Sequence, residues 1–185
     1  MTLARPWPRG ERVRSPWGPR VHPISGKRKH HRGVDVAYNG DIYAPADGVI
    51  VHKGADLNKR SGGGYTLILR HDNPRVWTVY YHLREPSPLL KGTRVRRGEV
   101  LGHTGTTGAS TGVHLHFETR KARRWGSDFD PMSILAYEHA SENPARGRPE
   151  ERPRRTRVRM PSFGISGALK AMDVRSVNRF LRGRR

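Results

Sequence analysis

Between Val34 and Glu118 the apolar residues recur in short runs with a period of two, not with the 3.6-residue spacing of a helix. Val34-Asp35-Val36, Gly48 to Val51, Tyr65 to Arg70, Val76 to His82, Val100-Leu101 and Val113 to Glu118 read as strands. Asn39-Gly40-Asp41, Ser61-Gly62-Gly63-Gly64, Asp72-Asn73-Pro74 and Gly105-Thr106-Thr107-Gly108 read as the turns between them. No strongly amphipathic helix is visible before residue 131, so the pattern predicts a mostly β, antiparallel domain with tight turns. Residues two apart on a strand share a face. His114, His116 and Glu118 are therefore expected on one side, with Val113, Leu115 and Phe117 in the core. The same rule predicts one shared face for Thr78, Tyr80 and His82.

The pattern changes near residue 140. Glu142-Asn143-Pro144-Ala145-Arg146-Gly147-Arg148-Pro149 reads as a polar, proline-punctuated linker. After Ser166, a candidate N-cap, Leu169, Met172, Val177, Phe180 and Leu181 recur at helical spacing, with Arg175, Arg179 and Arg182 as a basic face. The expected organisation is a domain over 1–140 and a basic linker with a short cationic amphipathic helix over 141–185.

Composition narrows the chemistry. The 185 residues contain ten histidines and no cysteine, which removes thiol catalysis, thiolate metal sites and disulfides. Any metal must sit on histidine and carboxylate. The 36 Lys+Arg against 16 Asp+Glu give a net charge of +20, which calls for an anionic partner such as nucleic acid, an acidic polymer or a membrane surface. No apolar run approaches a membrane span, and Met1 to Gly10 lacks the apolar core of a signal peptide, so no built-in export signal is expected.

Three local patterns bring histidine together: His31-x-x-x-Asp35, Thr78 to His82, and His114-Leu115-His116. A catalytic zinc takes three protein ligands and keeps a fourth position for water. Without cysteine, two imidazoles and one carboxylate are the natural set, and two further histidines could move protons and steady an oxyanion. Spacing alone leaves the roles open, and His52-x-x-x-Asp56 is a second match to the first pattern. His30, His52, His71, His103 and His139 read as solvated or hydrogen-bonded residues.

From about Arg14 to Leu135 the sequence resembles the lysostaphin/LytM-type zinc endopeptidases of bacterial cell walls. Ser15-Pro16-Trp17-Gly18-Pro19-Arg20-Val21-His22-Pro23-Ile24 resembles the family's opening segment, and His31-x-Gly33-Val34-Asp35 and Ala44-Pro45-Ala46-Asp47-Gly48 follow in order. Then come Gly64-Tyr65, Thr78-x-Tyr80-x-His82-Leu83 and the most specific run, Gly105-x-Thr107-Gly108-x-Ser110-Thr111-Gly112-x-His114-Leu115-His116-Phe117-Glu118. Asp130-Pro131 closes the domain. The resemblance implies His31, Asp35 and His116 as ligands of Zn2+, with His114 and His82 in the two non-ligand catalytic places, and it demotes His52 and Asp56. It also implies His114 as general base and His82 as donor to the oxyanion, the division between the two being a hypothesis.

The implied activity is zinc-dependent hydrolysis of peptide bonds in the stems or cross-links of peptidoglycan. Arg20, His22, Tyr65 and Tyr81 are candidate substrate-binding residues, and Trp17, Trp77 and Trp125 could join them in lining a groove. A polyanionic envelope also accounts for the net charge, through the basic tail meeting envelope polymers or a membrane surface. A monomer with no specific nucleic-acid partner is expected. Without a readable leader, the expected setting is a phage lysin made in the host cytoplasm and acting on the wall. The competing class is a basic nucleic-acid-binding protein on a peptidase-like fold.

Overall fold

The computed structural model describes residues 2–21, 26–56 and 62–142. The chain opens with short strands β1 (Leu3–Arg5), β2 (Val13–Ser15), β3 (Gly18–Val21), β4 (Arg28–His31), β5 (Val34–Val36) and β6 (Asp41–Tyr43). Longer ones follow: β7 (Gly48–Ala55), β8 (Tyr65–Asp72) and β9 (Arg75–Leu83). Then come β10 (Arg94–Val95), β11 (Val100–His103), β12 (Leu115–Arg120), β13 (Asp128–Phe129) and β14 (Leu135–His139). The mostly β reading holds, and the only helical pieces among the described residues are two 3-10 turns at Pro131–Ser133 and Ala140–Glu142.

One eight-stranded sheet organises the domain, in the order β10-β7-β8-β9-β12-β5-β2 with β13 on the side of β12. Its neighbours are all antiparallel. Two antiparallel ribbons, β3–β4 and β6–β11, accompany it. The pair β1–β14 is parallel, contrary to the uniformly antiparallel expectation. These strands come from opposite ends of the domain, so no hairpin constrains their direction; parallel pairing needs only a long connection. His139 secures the junction by donating Nδ1–H to the Trp7 carbonyl at 2.7 Å.

The two faces of the sheet can be read from register. Tyr80, Phe117 and Val34 lie side by side across β9, β12 and β5. All three are fully buried, and Trp7 packs edge-on against Phe117 with ring centroids 6.1 Å apart. Beside them a chain of hydrogen bonds runs through the core: Tyr80 O–H donates to Thr78 Oγ1 (3.0 Å) and Thr78 O–H to His71 Nε2 (2.8 Å), while His71 Nδ1–H donates to the Asp47 carbonyl (2.9 Å). Burial pushes the His71 imidazole down, and this network holds it neutral. On the other face the row is Tyr81, His116 and Asp35. That face carries a smaller apolar cluster of Ile68, Val79 and Tyr81 next to the polar groups.

Two face assignments from strand alternation need correction. Val113 is 42 % exposed, because β12 begins only at Leu115 and the chain before it is a loop pinned by the His114–Gly105 bridge. His82 does not share a face with Thr78 and Tyr80. Its φ of 61° breaks the alternation and swings the imidazole to the face of Tyr81. A left-handed backbone costs a non-glycine residue roughly 1–2 kcal/mol, offset here by His82 N–H donating to the Gly63 carbonyl at 2.8 Å. His22 and the expected linker and helix beyond residue 142 lie outside the described residues. Among those described, no helix is long and apolar enough to cross a membrane.

Candidate metal centre

Three side chains meet where β4, β5 and β12 converge. His31 ends β4 and Asp35 is the middle residue of β5. His116 stands directly across from Asp35 on β12. Gly33, between His31 and Asp35, is what lets the chain turn so close to β12: a Cβ there would lie 2.3 Å from the Phe117 carbonyl oxygen. The His31 Nε2 lies 3.1 Å from Asp35 Oδ1 and 3.0 Å from His116 Nδ1, which is itself 2.8 Å from the same carboxylate oxygen. One donor atom from each residue falls within 4.8 Å of the others.

The donor set suits a zinc ion. His31 donates Nδ1–H to the Pro16 carbonyl at 2.7 Å, which leaves Nε2 for a metal. His116 places its far nitrogen, Nε2, 3.2 Å from Glu118 Oε1, which leaves Nδ1. Asp35 Oδ2 accepts from Arg20 at 3.1 Å, which leaves Oδ1. Each residue thus has one atom held from behind and one offered forward. Burial alone would raise the Asp35 carboxyl, but the neighbouring His116 and His31 imidazoles outweigh it and hold the group well below the usual carboxylate range. Burial would lower His116, yet the carboxylates of Asp35 and Glu118 bring it up to about 9.

Two further imidazoles border the same space. The His82 and His114 rings are 4.7 Å apart, and the His82 ring is 6.1 Å from that of His116. His82 donates Nδ1–H to the Thr107 carbonyl at 2.8 Å, and Thr107 O–H donates to the Leu83 carbonyl at 2.7 Å. Gly108 closes this loop at φ 77°, packed so tightly that a Cβ would lie 2.2 Å from the Gly62 carbonyl oxygen. Burial is the main cause that pushes His82 down to about 4, so it is neutral in the resting site. His114 donates Nδ1–H to the Gly112 carbonyl at 2.8 Å and turns Nε2 inward, 3.8 Å from Asp35 Oδ1. His82 therefore presents an unprotonated Nε2 to the site, and His114 turns its Nε2 the same way.

These groups form the floor of a groove of about 410 Å³. One wall carries the basic residues Arg20, Lys29 and Arg32 beside His30, with Arg20 paired to Asp35 and Arg32 to Asp128; the other is small and neutral, with Gly63, Ala109, Ser110 and Thr111. Trp125 overhangs the groove with the Arg32 guanidinium 4.6 Å from its ring centroid. Of the residues expected to line a groove, Arg20, Tyr81 and Trp125 do so. Arg20 is at the same time tied to Asp35 and, at 2.6 Å, to Ser15. Tyr65 is not among the lining residues: it opens β8 opposite Ala55 and Leu83, and the intervening Gly63 and Gly64 carry the chain past the groove. Trp77 packs on the Ile68 cluster, and Trp17 packs on the main core while donating to Asp128.

His52 and Asp56 stand apart from the centre. His52 pairs with the Ala55 carbonyl and Asp56 accepts from the Gly63 N–H. Strand alternation put Glu118 on the face of His116 but gave no hint of its role; Arg120 carried no signal, and Pro16 and Thr107 stood in the family-like runs without a role. Two of these three act through backbone carbonyls, which leave no trace in side-chain identity.

Known proteins similar to this chain give its family. The model of Peptidase family M23 matches residues 29–131. Among curated proteins, the DD-carboxypeptidase/endopeptidase Mpg of Neisseria meningitidis is 42% identical over 125 residues, covering 66% of this chain and 27% of that protein. The peptidoglycan DD-endopeptidase ShyC of Vibrio cholerae is 42% identical over 111 residues, 58% of this chain and 24% of its own. The chain thus spans about a quarter of the length of these relatives. Among solved structures, the catalytic domain of lysostaphin from Staphylococcus simulans superposes with a TM-score of 0.61 at 28% identity, covering 71% of this chain and 96% of that one. A zinc-containing peptidase from Vibrio cholerae gives 0.59 at 29% identity, with 71% and 40% covered. With a match running through β4, β5, β9 and β12 and spanning more than half of its length, the chain belongs to peptidase family M23.

Proposed function

We propose that the chain is a zinc-dependent endopeptidase that cleaves a DD-peptide bond in the stems or cross-links of peptidoglycan. The observation that carries the reading is the convergence of His31, Asp35, His116, His82 and His114 on the floor of one groove. The DD-endopeptidase names of relatives at 42% identity support the choice of bond. Basic lining residues Arg20, Lys29 and Arg32, two of them already ion-paired to Asp35 and Asp128, support a stem peptide, which carries free carboxylates, over a neutral glycine bridge.

Zinc held by His31 Nε2, Asp35 Oδ1 and His116 Nδ1 would polarise the scissile carbonyl and acidify a water. The chain's own groups handle the protons. His114, which turns its Nε2 towards Asp35, takes the proton of the attacking water and passes it to the leaving amine. His82, with its Nδ1–H committed to Thr107, can donate from Nε2 only as the imidazolium. Charge developing on the substrate oxygen raises its affinity for that proton. His82 therefore serves the oxyanion after taking a proton from solvent at Nε2, which returns to solvent when the tetrahedral intermediate collapses, a refinement of the simple donor role implied by resemblance.

The net charge of +20 and the expected basic tail support action on a polyanionic envelope. A phage-borne lysis protein, acting as a monomer outside the cytoplasm, is the setting we assign within this proposal. The test is digestion of purified sacculi with and without chelator, followed by mass spectrometry of the released muropeptides. Chelator-sensitive release of DD-cleaved fragments is expected. His114→Ala should keep zinc and lose about 100-fold or more in rate, whereas His31→Ala should lose zinc. Retention of DNA with intact sacculi would replace this reading with the nucleic-acid one.

A further inference from the structure

His116 differs from His31 in what stands behind it. The outer nitrogen of His31 meets a neutral carbonyl, Pro16, while that of His116 meets a buried carboxylate. Glu118 is 1 % exposed, and a carboxylate so far from water costs several kcal/mol unless it is paired. Arg120, itself 3 % exposed, provides the pairing, with Nε and one terminal nitrogen each 2.6 Å from Glu118 Oε2. The same guanidinium donates to the Tyr81 hydroxyl at 2.9 Å. It also stands 5.4 Å from the Trp125 ring centroid.

The division of labour on Glu118 is informative. Both short contacts to Arg120 use Oε2, and Oε1 is left for His116 Nε2 at 3.2 Å. A buried ion pair serving packing alone would engage both oxygens in the fork geometry that guanidinium and carboxylate share. Here one oxygen is kept for the imidazole. Glu118 and Arg120 are two and four residues beyond His116 on β12, so strand alternation holds all three on one face.

We propose that Glu118 is a positioning residue for His116: anchored by Arg120 and Tyr81, its free oxygen accepts Nε2–H and thereby fixes the tautomer and ring orientation that aim Nδ1 at the metal. The inference rests on the reading of His116 as a metal ligand. Carboxylates behind ligand histidines act in this way in zinc sites generally, and their loss costs about 10- to 100-fold in metal affinity. An amide is a poor substitute at this position. A glutamine side chain in place of Glu118 would have one acceptor oxygen for two donors, so either Arg120 or His116 would face its NH2 group.

The experiment measures zinc affinity by chelator competition on the full chain for wild type, Glu118→Gln and the double variant Glu118→Gln/Arg120→Gln. The double variant removes the charge left unpaired by the single one, and unfolding of each metal-free protein shows whether it has kept its fold. Zinc binding about 10- to 100-fold weaker in folded variants is the expected result. Nitrogen NMR of the zinc-loaded wild type should show His116 protonated on Nε2 and metallated on Nδ1, which also decides the matter if the variants fail to fold. Affinities within twofold of wild type in folded variants, or a proton found on Nδ1, would overturn the role of Glu118. A wild type that binds no zinc, or a His116→Ala variant that binds it unchanged, would instead overturn the ligand assignment.

Discussion

Metal binding to this site should be linked to one proton, and His116 is where that proton resides. In the metal-free protein the carboxylates of Asp35 and Glu118 bring His116 up to about 9, so at pH 7 it carries protons on both nitrogens. A metal on Nδ1 must displace one of them. From pH 7 to about 9 the displacement costs about 3 kcal/mol, at 1.36 kcal/mol per unit, or roughly a 100-fold weaker apparent affinity at pH 7 than on the alkaline plateau. Asp35, held far below the usual range, is ionised throughout and adds no proton. Chelator competition at several pH values from 6.5 to 9.5 should give about a tenfold gain per unit, flattening near 9. Calorimetry in two buffers of different ionisation enthalpy should count one proton released. Cadmium is the better probe, because its bound water is less acidic than that on zinc and contributes no second proton. An affinity independent of pH between 7 and 8.5, or no proton released, would refute this electrostatic account of the site.

The same shifts set the stability of the metal-free protein. His116 is raised on folding, so its contribution is complete below the unfolded value of 6.5 and is lost as pH rises through about 9. His82 is depressed to about 4, so its contribution is complete above 6.5 and is lost as pH falls towards 4, a change of about 3 kcal/mol. Denaturant midpoints across both windows check the two signs. Thr78→Val should strand His71 Nε2 and the Tyr80 hydroxyl in the core and cost about 1–3 kcal/mol in urea unfolding. Its turnover per folded molecule should be unchanged. Gly33→Ala should force β5 away from Phe117 and cost about 1–3 kcal/mol. Because the displaced segment links His31 to Asp35, its zinc affinity should fall as well, read by the same competition assay.

How much of this was legible beforehand depends on the scale of the interaction. The strands β7, β8, β9 and β12 were visible because each carries several alternating apolar residues, and the short β5 and β11 because Val34, Val36, Val100 and Leu101 stand close to turn signals. The short strands β1 to β4, β10 and β13 hold two to four residues each, too few for a period to show. The groove face of β12 followed from alternation, since His116 and Glu118 are two apart. His82 did not follow: a single left-handed residue inverts the pattern, and nothing at that position is a glycine to announce it. Which aromatics line the groove was only partly legible for a similar reason. Tyr65, Trp17 and Trp77 are as plausible by composition as Tyr81 and Trp125, and only their places in the sheet separate them.

The sequence by itself determined the chemistry. Ten histidines without a cysteine limit a metal to imidazole and carboxylate, and two-residue periodicity makes a sheet on which such groups can be displayed. It could not say which nitrogen of each imidazole is free. That was decided by tertiary neighbours: the Pro16 carbonyl behind His31, Glu118 behind His116, the Thr107 and Gly112 carbonyls behind His82 and His114. A tautomer is set by what lies within hydrogen-bonding distance of a ring, and that depends on register and loop closure, as does the meeting of His31 and His116, 85 residues apart in the chain.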